Sequence, residues 1–377
     1  MEPRTPVVVG ARRTPVATAG RGLAGADAPA LAAPVLAAVR ADLAGAVPGI
    51  DDVVLGNCCG PGGDVARIAV LAAGLGEAVP GVTVDRQCGA GLEAVRLAAA
   101  LVRAGDARAV LAGGTESATH ARDGATRAAF APPGWPDPEM GAAADVLAVR
   151  AGIERERQDA YAARSHSLAV RSAQDGIFDA ELVAIGGCRR DDRPRPRLGP
   201  EVLARMPPAF TPGGSVTAGN SCGINDGAAV LALLPAADAD GLAGLRVVAT
   251  AVAGVDPGLP GLGPVPAVRA VLERAALPLA AVDVLEITEA FAAQVLACTD
   301  ILGLDPLGAD HERVCPEGGA IALGHPWGAS GAMLVTRLFS SLVRRRLGRY
   351  GLATCAVGGG QGVAVLVEAV DGEVLAA

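Results

Sequence analysis

Residues Val84–Val102 read VDRQCGAGLEAVRLAAALV: a short apolar strand gives way to small residues and then to a long amphipathic helix. Strand-to-helix turns of this kind are the repeating unit of α/β folds. The thiol of Cys88 falls at the turn. A cysteine at a helix N-terminus meets unpaired N–H groups and the positive end of the helix dipole, which favour the thiolate and make Cys88 a candidate nucleophile. The plainer alternative is a small buried core thiol.

Outward from this turn, β-branched runs alternate with Ala/Leu/Arg helical stretches: Val7–Val9, Ala30–Ala44 and Asp52–Leu55 come before it. A similar series returns after about residue 245, with Val247–Ala253, Ala267–Ala276, Val282–Ile287, Gly331–Arg346 and a closing strand pair at Leu352–Val357 and Val363–Val367. Two halves of related design follow from that recurrence. The first spans residues 1–118 and is completed by about 223–245; the second spans 246–377. Between them, residues 119–222 are richer in Pro, Asp and Arg and carry one clear helix, Glu154–Gln174, so this stretch reads as an inserted lid.

A chain of 377 residues, 51% of them apolar, can bury a large core. Net charge is −8 and all 32 basic residues are Arg, so no basic surplus points to nucleic acid, and a bound polyanion must be met by a local Arg cluster. The charge-free stretches, such as Gly318–Thr336, are broken by Gly, His and Pro, which argues against a membrane span, and the N-terminus lacks the apolar run of a signal peptide. A cytoplasmic location is expected. Eight cysteines are scattered without a CxxC pair, so neither a zinc site nor a disulfide framework is favoured and no metal is expected.

Of four histidines, His325 stands out, between Gly324 and Pro326 in GGAIALGHPWGASGAMLV, where it cannot fill an ordinary helical core position. His166, in the polar helix RSHSLAVRS, reads as a surface residue; His120 and His311 carry no local signal. The segment CAVGGGQG (355–362) lacks the Lys-Ser/Thr of a phosphate loop, and its glycines instead suit close passage of the backbone by a reacting group. The runs Arg189–Arg190 and Arg344–Arg346 read as solvated faces.

Together, VVGARRTP, DVVLGN, ARIAVLAAGL, DRQCGAGLEAV, AGGTES, QDAYAARSH, SVTAGNSCGINDGAA, GVDPGLPGLGPVPA, EAFAAQ, GGAIALGHPWGASGA and GLATCAVGGGQG resemble the thiolase superfamily over nearly the whole length. The resemblance implies an α/β thiolase fold, with two pseudo-repeated mixed five-stranded sheets in an α-β-α-β-α layering and an inserted loop domain, in a homodimer or homotetramer. It implies an acyltransferase that needs no cofactor beyond its coenzyme A thioester substrate. Cys88 would attack an acyl-CoA with His325 as proton acceptor, and the N–H groups of Cys88 and Gly358 would hold the oxyanion. Arg195 matches the residue near the CoA nucleotide; Phe210, Ala218 and Phe291 match the pantetheine tunnel, where Cys222 replaces a Ser.

Two departures from the family pattern fall on enolate formation. Ala356 stands where the family carries its second catalytic cysteine, and strand alternation turns the neighbouring Cys355 to the opposite face, away from Cys88. Thr288 replaces the Asn that holds an enolate-stabilising water. Pro260, Cys315-Pro316-Glu317 and Trp327 are smaller changes expected to reshape the pocket. Loss of a positioned base forfeits about 10²–10⁴-fold in rate. The expected reaction is therefore acyl loading on Cys88 followed by a biosynthetic, Claisen-type condensation whose acceptor needs no cysteine base. A malonyl-type thioester is such an acceptor, and His325 or a displaced Cys355 could otherwise serve as base. Acyl transfer to an amine or hydroxyl, conventional acetyl-CoA acetyltransferase activity and a non-catalytic scaffold remain open alternatives.

Overall fold

The computed structural model describes residues 2–43, 47, 49–121, 129–239 and 241–371. In the first half, β1 (Pro6–Arg13), β2 (Ala17–Thr18), α1 (Ala28–Asp42), β3 (Asp52–Gly56), α2 (Val65–Ala72), β4 (Val82–Val84), α3 (Ala90–Ala104) and β5 (Val110–Ser117) follow one another. The middle stretch carries α4 (Met140–Ala151), α5 (Arg155–Gln174) and the short α6 (Pro200–Leu203) before β6 (Asn225–Pro235). The second half runs β7 (Gly244–Gly254), α7 (Pro264–Ala275), β8 (Val284–Ile287), α8 (Ala292–Leu302), α9 (Ala320–Leu323), α10 (Trp327–Leu338), β9 (Tyr350–Val357) and β10 (Gln361–Val370).

The strands lie in the order β4-β3-β5-β6-β1-β7-β10-β9-β8, with β2 paired to β6. The halves join where β1 pairs antiparallel with β7 through Val7↔Arg246 and Val8↔Leu245. Among the named strands of the described residues, parallel pairing occurs at β4-β3-β5 and β8-β9, where helical crossovers connect the strands.

Alternation along the strands sets the layers. Val53 and Leu55 of β3 face a core shared with α1 and α2, whereas Val54 faces a central core shared with α3 and α10. On the other half, Leu285 and Ile287 pack with α7 and α8, while Ala353, Cys355 and Val357 of β9 face the centre. The layering is therefore helix, sheet, helix pair, sheet, helix. The central α10 is buried on every side from Gly328 to Leu338, as a helix between two sheets must be. Close approach of α3 and α10 depends on small residues: a Cβ at Gly331 would lie 2.4 Å from the Leu92 nitrogen. No helix among the described residues is long and apolar enough to cross a membrane.

Candidate active site

Cys88 sits in a single helical turn, Gln87–Gly89, between β4 and α3. Gln87 adopts φ +46°, a left-handed conformation that a non-glycine residue holds only with support. Asp85 supplies it, accepting from the Gln87 backbone N–H at 2.6 Å and its side-chain amide at 3.2 Å. The strained turn presents the thiol to a cavity of about 110 Å³ lined by Cys88, Met140, Leu147, Cys222, Pro260, Phe291, Gln294, His325, Trp327, Ala356 and Gly358, among others.

His325 reaches the same cavity from the loop between α9 and α10. Gly324 turns the chain there at φ +114°, and a Cβ at that position would collide with the Asn225 side chain at 2.6 Å. Asn225 Oδ1 accepts from the His325 backbone N–H at 3.0 Å. The ring Nδ1 lies 2.6 Å from Ser330 Oγ on α10. If Nδ1–H donates to that hydroxyl, Nε2 is left free to accept a proton. Neither Asn225 nor Ser330 was among the residues singled out from the sequence; an (i, i+5) contact across a Pro has no simple periodic signal.

Burial pushes the Cys88 thiol well above its ordinary range, and Cys355, Cys222, Cys59 and Glu116 act in the same direction. Desolvation thus opposes the helix-terminus effect that the sequence reading credits with favouring the thiolate. Burial likewise holds His325 down to about 4. Both shifts favour the neutral thiol and the neutral imidazole over their charged forms at neutral pH.

Ala356 lines the cavity, whereas Cys355 is fully buried on the central-core side of β9. Cys355 does not face away from Cys88 altogether, as strand alternation suggested: its thiol donates to the Cys88 carbonyl at 3.3 Å and to the Ala356 carbonyl at 3.1 Å. It is a buttress behind the nucleophile's backbone. Its own thiol is pushed up to about 12 by burial.

Thr288, expected at the catalytic cavity, lies elsewhere. It lines a second, inner cavity of about 40 Å³ together with Glu286, Ser330 and Arg337. Its hydroxyl approaches the Cys355 thiol but meets no partner at hydrogen-bond geometry.

Gly358 opens the turn between β9 and β10, and the Phe130 ring lies 2.9 Å from where its Cβ would be. Any side chain there would displace that ring, which explains the glycine without the oxyanion role. Phe291 lines the cavity and meets Phe210 edge to face at 5.8 Å; Phe210 itself is half-exposed and outside the cavity lining. Cys222 lines the cavity with its thiol pushed up to about 12 by burial.

A separate open groove of about 430 Å³ is lined by His166, Arg193, Arg195, Arg197, Met206 and Ala218. Arg195 is exposed there, its guanidinium donating to the Asp192 carbonyl at 2.7 Å. The Arg193 guanidinium lies over Gly223, next to Cys222, so the groove adjoins the cavity. His166 is corrected from a surface residue to a buried one: Nδ1 accepts from the Arg195 backbone N–H at 3.2 Å, and burial, with Arg193 and Arg195, holds its pKa down to about 4. Arg344 is also not a plain solvated residue, since it donates to the Ala11 carbonyl and covers the Phe339 ring.

Models of the thiolase N-terminal domain match residues 6–133 and 134–237, and the thiolase C-terminal domain model matches 242–369. The chain belongs to the thiolase family. This thiolase-family chain is 41% identical over 345 residues to the putative acetyl-CoA C-acetyltransferase YhfS of Bacillus subtilis, covering 90% of this chain and 92% of the relative. It is 40% identical to the acetyl-CoA acetyltransferase of Escherichia coli, over 96% of this chain and 98% of that one. The crystal structure of the Bacillus anthracis acetyl-CoA acetyltransferase superposes with a TM-score of 0.89 at 37% identity, covering 97% of this chain and 99% of that one. The α/β thiolase fold expected from the sequence is the fold observed, and the chain is an acyltransferase enzyme.

Proposed function

We propose that the protein takes a short acyl group from an acyl-CoA onto Cys88 and passes it to a carbon acceptor whose enolate does not arise from a cysteine base. The observation that carries this reading is the pair at 355 and 356: a methyl stands on the cavity wall, and the only thiol of that strand is locked behind it.

In the first step the Cys88 proton passes to His325 as sulfur attacks the thioester carbonyl. The N–H groups of Cys88 and Gly358 hold the oxyanion, and the CoA sulfur leaves with the proton from His325. Arg195, with Arg193 and Arg197, supplies positive charge for the CoA phosphates in a protein whose net charge is −8. The cavity is small and walled largely by apolar side chains such as Met140, Leu147 and Phe291, which suits a short acyl chain. In the second step a malonyl-type thioester loses CO₂, its enolate carbon attacks the acyl carbonyl and the Cys88 C–S bond breaks; the departing thiolate is reprotonated by a solvent proton relayed through His325. Burial favours the neutral imidazole at physiological pH, the form that accepts a proton.

The test is acceptor preference after acyl loading. Malonyl-CoA should yield 3-ketoacyl-CoA with release of CO₂, while acetyl-CoA should condense at least about 100-fold more slowly, the lower bound for loss of a positioned base. Equal rates with both acceptors would overturn the reading.

A further inference from the structure

The parallel strands β4, β3 and β5 are neighbours, and their carboxyl ends deliver three sets of reactive groups to one edge: Cys88 after β4, Cys58 and Cys59 after β3, and Glu116 near the end of β5. Only the first belongs to the acyl-transfer chemistry. The thiol sulfurs of Cys58 and Cys59 are 3.8 Å apart, and Cys58 Sγ is 3.0 Å from Glu116 Oε2. All three ligand atoms lie within 4.8 Å of one another.

Glu116 is fully buried, yet every partner it has is neutral. Oε1 accepts from Asn57 Nδ2 at 2.8 Å and the Cys59 N–H at 3.2 Å; Oε2 accepts from the N–H groups of Cys58 and Gly328, both at 3.1 Å, and from the Cys58 thiol. Buried carboxylates are ordinarily matched by a cation or coordinate a metal. Here the groups facing the carboxylate are two thiols, which become anionic ligands when a metal displaces their protons.

We propose that Cys58, Cys59 and Glu116 form a binding site for a soft divalent transition-metal ion, with zinc the best match. Bond lengths of about 2.3 Å to sulfur and about 2.0 Å to oxygen put tetrahedral edges at about 3.8 Å between sulfurs and about 3.5 Å between sulfur and oxygen. The sulfur pair already has that spacing; the Cys58–Glu116 contact must open by about 0.5 Å once the S–H···O bond is replaced by a shared ion. The carboxylate is oriented by its N–H donors, as second-shell groups orient ligands in metal sites. Both cysteines are only half-buried, which leaves an entry path and room for a water as fourth ligand. Two thiolates with one carboxylate select zinc, cadmium or cobalt over magnesium or calcium. Binding releases the two thiol protons to solvent, with no change of oxidation state. The cysteine spacing alone hid this arrangement, because the third ligand comes from a strand more than fifty residues away.

The experiment titrates the reduced, full-length protein with zinc ion alone and with cadmium ion, reading stoichiometry by calorimetry and metal–thiolate charge transfer by near-ultraviolet absorbance. One ion per chain is expected, with the thiolate band. Cys58→Ser/Cys59→Ser should weaken binding at least about 100-fold, the scale of losing ligands from such a site, whereas Cys88→Ser should change it less than about threefold. Thermal melting of the double variant verifies that it is folded, and Glu116→Gln gives a second, independent loss. Binding undiminished in the double variant, affinity weaker than about 10 µM in the wild type, or a thiol pair isolated as a disulfide despite reductant would each overturn the proposal.

Discussion

Replacing Ala356 by Cys tests the missing base by supplying it. Ala356 lines the cavity while the side chains at 355 and 357 join the central core, so the added sulfur occupies substrate space rather than packed core. A positioned base contributes about 10²–10⁴-fold, or roughly 3–5 kcal/mol of barrier. The gain should fall at the low end, near 100-fold, for two structural reasons. Burial raises the Cys88 and Cys222 thiols of this cavity, so a new thiol there resists ionisation; and Thr288, off the cavity, gives the enolate oxygen no support. The assay is acetoacetyl-CoA thiolysis followed by loss of enolate absorbance, with Ala356→Ser as the size control. A gain below about threefold, the same gain from the Ser control, or a wild type that is already fast and is slowed by Cys355→Ser would refute the reasoning.

Ser330→Ala removes the hydroxyl 2.6 Å from His325 Nδ1 and leaves a buried ring nitrogen unpaired, a penalty of about 1–3 kcal/mol, so stopped-flow acylation should slow by roughly 5- to 150-fold with little change in KM. Arg195→Ala should raise KM for acyl-CoA by about tenfold, the scale of one charge-assisted contact, yet leave a truncated pantetheine thioester unaffected. His166 and His325 are held at about 4, below the 6.5 of a free imidazole, so the unfolded chain binds more protons between those values. Stability is full above about pH 6.5 and falls as pH drops toward 4, by on the order of 3 kcal/mol per histidine; denaturant melts of His166→Gln should show a shallower acid loss than wild type.

Much of the fold was readable because periodicity carries it. The strand-turn-helix around Cys88, the recurrence of that unit in the second half and the opposite faces of residues 355 and 356 all follow from repeats of 2 and 3.6 residues. Depth and long-range contact were less legible. His166 lies among polar neighbours in a helix whose burial depends on α9 and the 193–195 loop packing over it, so local polarity misplaced it. The helix terminus that favours a Cys88 thiolate is visible in the sequence, while the walls that desolvate the thiol come from six other segments. Thr288 could be aligned to its motif but not located, since the cavity it lines is assembled from segments as far apart as Arg13, Glu286 and Arg337. The Cys58–Cys59–Glu116 cluster exists only through pairing of β3 with β5.

Intact-mass measurement of the protein mixed with short acyl-CoAs, followed by peptide mapping, addresses the nucleophile itself. One acyl group per chain on the Cys88 peptide, absent in Cys88→Ser and slowed in His325→Ala, is the predicted result. Acylation at Cys58, Cys59 or Cys222 with Cys88 untouched, or no adduct from any donor, would contradict it.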